Sequence, residues 1–216
     1  MTAPSRDAIK QGCERLARKD AALAKAYEEQ GVPEWRSSPC SFATLARMIA
    51  FQQVSTKAGA AIWGRVEAIC ATMNAETILS LQDEALRGVG LSRPKVRYVK
   101  AIAEAVRSGA LCFDTLPLSP RSEAISSLTA IKGIGPWSAE IFMMYATGDL
   151  DAFPPGDVGL MESYRLLAGD EDRLDAKAFT ERAADWSPDR GVATHLLWAW
   201  FNQQRGHEPP PLARRS

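Results

Sequence analysis

One acidic side chain stands where it could do chemistry by itself. In FPPGDVGL, residues 153–160, Asp157 follows a Pro-Pro-Gly turn and precedes an apolar helical pattern. Read locally it is a helix N-cap, a short acceptor for the amides of the first turn. A carboxylate fixed in such a turn can also stabilise positive charge developing on a reacting carbon, and can orient or deprotonate a water molecule. Neither role requires a metal or a redox cofactor. About two dozen residues upstream lies KGIGPW, Lys132–Trp137, which has the form of a helix-hairpin-helix element. Gly133 and Gly135 permit positive φ and close approach of another backbone. The N–H groups around Ile134 and the following helix start can hold a phosphate, with Lys132 adding charge. Such a turn grips a nucleic-acid backbone without reading bases. An ordinary tight turn between packed helices is the other use of Gly-X-Gly.

Helical periodicity must supply the frame for both turns. Residues 6–30 read as one long charged helix or two short ones, closed by Gly31 and Pro33. Ser41 caps a helix carrying Phe42, Leu45 and Ile49 on one face. After the break FQQVS, Ser55 starts another with Ala58, Ile62, Val66 and Ile69 inward. Further helices are predicted at 94–107, 122–131, 136–145, 158–168, 176–185 and 189–204. Pro136 suits a first helical position, where its missing N–H costs nothing. The segment 149–156 reads as an irregular connector, and the tail GHEPPPLARRS as frayed. With no alternating strand pattern, the fold class is all-α.

Composition narrows the function further. The chain has 216 residues, 46% of them hydrophobic, enough for one large domain or two small lobes around a real core. No apolar run reaches the roughly 18 residues needed to cross a bilayer. The charged N-terminus lacks an apolar signal-type stretch, so a cytoplasmic protein is expected, nucleoid-associated in a bacterium or nuclear in a eukaryote. Lys plus Arg and Asp plus Glu both number 26, which argues against indiscriminate coating of nucleic acid but not against a local phosphate grip. Cys13, Cys40, Cys70 and Cys112 are scattered, with no zinc knuckle or iron–sulfur spacing, and read as reduced thiols in helices. His195 reads as a packing or capping residue of the C-terminal helix.

Four stretches, FATLARMIAFQQVSTKAGAAI (42–62), GLSRPKVRYVKAIAEAV (90–106), LTAIKGIGPWSAEIFMMYATGDLDAFPPGDVGL (128–160) and WSPDRGVATHLLW (186–198), resemble the helix-hairpin-helix DNA glycosylase superfamily. The resemblance is to its 3-methyladenine DNA glycosylase II, or alkylpurine, branch, and it covers roughly residues 40–200. It implies a two-lobed helical fold with the active-site cleft between the lobes. One lobe is 40–148, containing the helix-hairpin-helix at about 122–145; the other is 1–39 with 149–216. By the same resemblance Asp157 is the catalytic aspartate and Gln53 the wedge that fills the gap left by an everted nucleotide. Trp137 and Trp198 match aromatic positions of the base pocket. Lys132, Gly133, Ile134 and Gly135 match the DNA grip. The carbonyls of Thr129, Ile131 and Ile134 match positions that can hold Na+ or K+ beside a phosphate.

Trp137 stands where strand-cleaving members carry a Schiff-base lysine, which implies a monofunctional enzyme using water. Ile141 stands where one well-known pattern has a pocket tyrosine. The four-cysteine cluster of endonuclease III-like members is missing, so no iron–sulfur cluster is expected, and no cofactor is required. The implied activity is hydrolysis of the N-glycosidic bond of alkylated purines of the 3-methyladenine and 7-methylguanine type. Double-stranded damaged DNA is the expected partner, with no membrane and a monomeric state. The alternatives are a catalytically silent helix-hairpin-helix DNA-binding module and a glycosylase/lyase for oxidised bases. A second candidate hairpin, residues 86–100, carries Arg93, Lys95, Arg97 and Lys100, charges that serve either DNA contact or simply a solvated helix face. Arg190 could contact DNA or pair with an acidic residue. Trp35, Trp63, Trp186 and Trp200 read as structural.

Overall fold

A computed structural model describes residues 3–206; most of the expected frayed tail, 207–216, lies outside the described residues. The described residues contain no β-strand. The chain forms two compact units, one of residues 38–142 and one joining residues 1–37 to 143–216. The sequence reading sets its lobe bounds at 39/40 and 148/149, two and six residues further along the chain. The second changeover falls where a helix ending at Phe142 runs on into a π-helical turn, Met143–Thr147.

The unit built from the chain ends begins with α1 (Arg6–Lys19) and α2 (Ala21–Gln30). Asp20 separates them: its side chain accepts from the Ala22 amide at 2.9 Å, capping α2. The choice left open by the sequence, one helix or two, is settled by that cap. Asp20 is 3% exposed, and its Oδ2 also accepts from Tyr164 Oη and Trp186 Nε1, each at 3.1 Å, and from Arg182 at 2.7 Å. A buried carboxylate is tolerated because every approach is satisfied. Around it Leu16, Leu23, Leu160, Phe179 and Trp186 make an apolar core, each side chain contributing about 1.5–3 kcal/mol by burial. The same unit holds α10 (Val158–Ala168), ended by Gly169 in the left-handed region, α11 (Ala176–Arg182) and α12 (Arg190–Gln204). α10 and α12 pack on each other and on α2.

The central unit contains α3 (Phe42–Phe51), α4 (Thr56–Ile69), α5 (Ala75–Ser80), α6 (Asp83–Gly88), α7 (Arg93–Arg107), α8 (Arg121–Thr129) and α9 (Pro136–Phe142). Ser41, Ser55 and Ser92 cap α3, α4 and α7 as their side chains accept first-turn amides. The inward face of α4 is rotated from the one expected. Trp63, Val66 and Gly59 are buried, whereas Ile69 is exposed at the helix's last turn, where the chain has already left the core. α5 and α6 were not expected; at six residues each they are too short to show a period. Both pack on α7, which also lies against α3. Only Cys13 sits inside a helix. Cys40 precedes α3, Cys70 caps the end of α4, and Cys112 precedes the turn at 113–115, so the expectation of helical thiols holds for one of four. Burial pushes Cys13 up to about 12 and Cys40 to about 11, leaving both poor nucleophiles.

Candidate active site and DNA grip

The hairpin lies wholly in the central unit. α8 and α9 pack on one another, and an ion pair between Arg121 and Glu140 joins them. Gly133 has φ of +97°, a conformation side chains avoid, and a Cβ there would lie 2.2 Å from Tyr98 Cγ on α7. Only glycine lets the turn sit on that ring. Ile131 and Ile134 are buried, and the Ile134 amide donates to the Ile131 carbonyl at 3.0 Å. Ile134 therefore anchors the turn, and its amide is used inside it, contrary to the expectation of an outward donor. Lys132, Gly135 and Trp137 are exposed.

Gln52, which sequence reasoning passed over, fastens this turn to α3. Its Nε2 donates to the Gly133 carbonyl at 3.2 Å and to Ser138 Oγ at 3.4 Å. The adjacent Gln53 is exposed and has φ of +55°, the sole positive value at a non-glycine among the described residues. Holding a glutamine there costs on the order of 1–2 kcal/mol. The wedge role that the resemblance implies falls on this exposed residue. The doubled glutamine in FQQVS was the available signal for Gln52.

Two of the four cations in the second hairpin are committed within the unit. Lys95 Nζ donates to the Ala50 carbonyl at 2.8 Å, and burial lowers its pKa; Lys100 pairs with Asp83. Arg93 and Arg97 are exposed.

Asp157 and Trp198 meet within the other unit. Asp157 is the N-cap of α10: Oδ1 accepts from the Leu160 amide at 2.9 Å and from Trp198 Nε1 at 3.3 Å. The local reading as a cap therefore holds, and the same carboxylate oxygen also takes the indole N–H of Trp198. Gly159 keeps the carboxylate uncrowded, since a Cβ there would lie 3.2 Å from Oδ1. Trp137 belongs to the central unit and Asp157 to the other. Arg190 pairs with Asp151, Nε to Oδ1 at 2.8 Å. Burial alone would raise the Asp151 carboxyl, but the Arg190 guanidinium holds it below its ordinary range.

Beside Trp198 lies a ring cluster that the sequence did not reveal. His195 stacks on Trp35 with centroids 4.0 Å apart and 19° between planes; Tyr145 stands edge-on at 5.5 Å and Trp198 at 6.2 Å. His195 Nδ1 lies 2.9 Å from the Gly191 carbonyl. That oxygen can only accept, so Nδ1 carries the proton and Nε2 is the lone-pair nitrogen. Burial drives the imidazole down to about 4, so it is neutral at physiological pH. Tyr145 is pushed up to about 12, mainly by burial, with Asp157 adding to the rise. The i,i+3 spacing of His195 and Trp198 on α12 was the legible part; the partners from residues 35 and 145 were not.

Comparison with known proteins places this arrangement. The family model described as HhH-GPD superfamily base excision DNA repair protein matches residues 46–189. DNA-3-methyladenine glycosylase 1 of Schizosaccharomyces pombe is 32% identical over 159 residues, covering 71% of this chain and 69% of that protein. A probable bifunctional transcriptional activator/DNA repair enzyme AlkA of Mycobacterium tuberculosis is 29% identical over 174 residues, 76% of this chain. The chain spans about a third of that relative's length, 34%. Among solved structures, a DNA-3-methyladenine glycosidase from Bacillus halodurans matches with a TM-score of 0.82 at 35% identity, covering 90% of this chain and 91% of that one. The S. pombe 3-methyladenine DNA glycosylase Mag1, solved in complex with abasic DNA, matches at 0.78 and 25% identity, covering 90% and 97%. With the family model aligned from α3 to the start of α12 and the fold shared along nine-tenths of its length, the chain belongs to the HhH-GPD superfamily of base excision DNA repair proteins.

Proposed function

We propose that the chain is a monofunctional DNA glycosylase that hydrolyses the N-glycosidic bond of alkylated purines in duplex DNA, leaving an abasic site. The observation that carries the proposal is the setting of Asp157. Its carboxylate is aimed by a backbone amide and an indole N–H, on the same unit as a cluster of electron-rich rings.

A base inside a duplex is out of reach, so the nucleotide must first turn outward, at a cost of a few kcal/mol in stacking. Gln53 fills the gap, while Lys132, Gly133 and Gly135 hold the backbone; both tasks fall to the central unit. The resemblance assigns a monovalent cation to carbonyls of this turn, one of which, that of Ile131, also accepts the Ile134 amide. Thr129 ends α8, whose last turn carries no basic side chain, so its terminal carbonyls lack compensation from the helix itself. Thr129, Ile131 and Ile134 would hold the ion, which would supply positive charge beside a phosphate.

Alkylation at N3 or N7 makes the purine cationic and a ready leaving group. Trp198 offers an indole face that favours a cation by about 0.5–2 kcal/mol, and the neutral His195 adds no repelling charge. As the bond to C1′ lengthens, the sugar gains oxocarbenium character, and the Asp157 carboxylate stabilises it. The same carboxylate orients water and accepts its proton as the C1′–O bond forms. With tryptophan in place of an amine nucleophile at position 137, no Schiff base forms and the strand stays intact.

Asp157→Asn isolates the charge, because asparagine caps a helix about as well as aspartate. On methylated duplex DNA, wild type is expected to release 3-methyladenine, and the variant to be slower by about 10²–10³-fold. Strand nicks should appear only after alkali. Nicking without alkali overturns the monofunctional reading, and failure of wild type to release any alkylated or deaminated base favours a silent DNA-binding module.

A further inference from the structure

The ring cluster beside Asp157 holds two buried polar atoms with no hydrogen-bond partner, His195 Nε2 and Trp35 Nε1. One is an acceptor and the other a donor, on rings stacked 4.0 Å apart. His195 as a whole is 5% exposed. Burying an unsatisfied polar group is costly, so a retained pair of opposite character calls for a use. A packing role alone would be served as well by phenylalanine at 195.

We infer that His195 Nε2 is the acceptor that selects adenine-type lesions, taking a hydrogen bond from the exocyclic amino group of the everted base. The inference rests on the glycosylase reading and deepens it to substrate choice. 3-Methyladenine presents the 6-amino donor next to the ring acceptors N1 and N7, so it can offer a donor to Nε2 and an acceptor to the indole N–H of the ring stacked 4.0 Å away. 7-Methylguanine presents O6, an acceptor, where the amino group would be, and its N7 is blocked by the methyl. Against Nε2 it brings two lone pairs face to face. The imidazole cannot switch to a donor there, because Nδ1 keeps the proton for the Gly191 carbonyl. Methylation leaves the adenine cationic, which sharpens its amino group as a donor toward a neutral acceptor. Neither Nε2 nor Trp35 Nε1 touches solvent, so the base reaches them as a neighbouring ring gives way. Trp35 is only partly buried, and the stretch 31–41 that carries it is not helical.

The measurement is the ratio of 3-methyladenine to 7-methylguanine released from one pool of methylated duplex DNA, so a general loss of activity cancels. His195→Phe keeps an aromatic ring but removes the acceptor, and the ratio is expected to fall about tenfold. His195→Gln restores an acceptor and should recover part of it. A ratio unchanged in His195→Phe overturns the inference. Should both variants fail to fold, wild type itself decides: free 3-methyladenine should inhibit base release about tenfold more strongly than 3-methylhypoxanthine, which lacks the amino group. Equal inhibition overturns the inference. A wild type that releases neither base refutes the glycosylase reading instead, a distinguishable outcome.

Discussion

Gly133→Ala tests whether the hairpin turn is seated on α7 as the structure has it. Two costs arise. At φ of +97° an alanine pays the left-handed penalty, about 1–2 kcal/mol. Its Cβ would also lie 2.2 Å from Tyr98 Cγ and 2.6 Å from both Cβ and Cδ1, so the ring or the turn must move. Overpacking of that kind costs about 1–3 kcal/mol, bringing the total to roughly 2–5 kcal/mol. For a chain of this size the melting temperature should drop by roughly 10 °C, measured by thermal unfolding followed by circular dichroism. The Tyr98→Ala background separates the two costs. Removing the ring relieves Cγ and Cδ1 but leaves Cβ at 2.6 Å, so rescue should be partial, with at least about 1 kcal/mol of coupling in a double-mutant cycle. Strictly additive losses would refute the contact, and an unchanged melting temperature would refute the turn geometry as well.

Other perturbations probe the second unit. Asp20→Ala strips partners from Tyr164 Oη, Trp186 Nε1 and Arg182 together, and should destabilise by about 3–5 kcal/mol in urea unfolding. Gly159→Ala gains roughly 1 kcal/mol of helix propensity yet places Cβ 3.2 Å from Asp157 Oδ1. Base release should therefore slow while the melting temperature holds or rises. His195 gives a pH signature. Its pKa is lowered to about 4 in the fold against about 6.5 unfolded, so the unfolded chain binds the extra proton between those values. Stability is complete above pH 6.5 and falls by roughly 3 kcal/mol as pH drops toward 4, a slope that His195→Phe should flatten.

The helical class, most helix boundaries and the two glycine-containing turns were legible because they depend on local signals: period, caps and glycine spacing. Asp157 could be read as a cap and as a reacting group at once, and the structure gives it a cap's bond and an indole's together. What stayed hidden depends on contacts between distant parts of the chain. Trp35 meets His195 across 160 positions, and no period in either segment announces it. Gln52 and Gln53 are identical in type and adjacent, yet one is tied to the hairpin and the other is exposed and strained. Arg190, open between two uses from sequence, is paired by Asp151.

The tie from Gln52 to Gly133 has a mechanical consequence. One peptide bond separates the residue anchored to the hairpin from the side chain that would enter the duplex, so the two cannot move independently by more than a residue's reach. Under the proposed function, strand displacement at Gln53 would then be measured from a phosphate held at Gly133, as a caliper measures from its fixed jaw. The nucleotide expelled would always lie at one set offset along the backbone. An extra residue inserted between 52 and 53 would alter that offset, and with it which nucleotide is presented for excision.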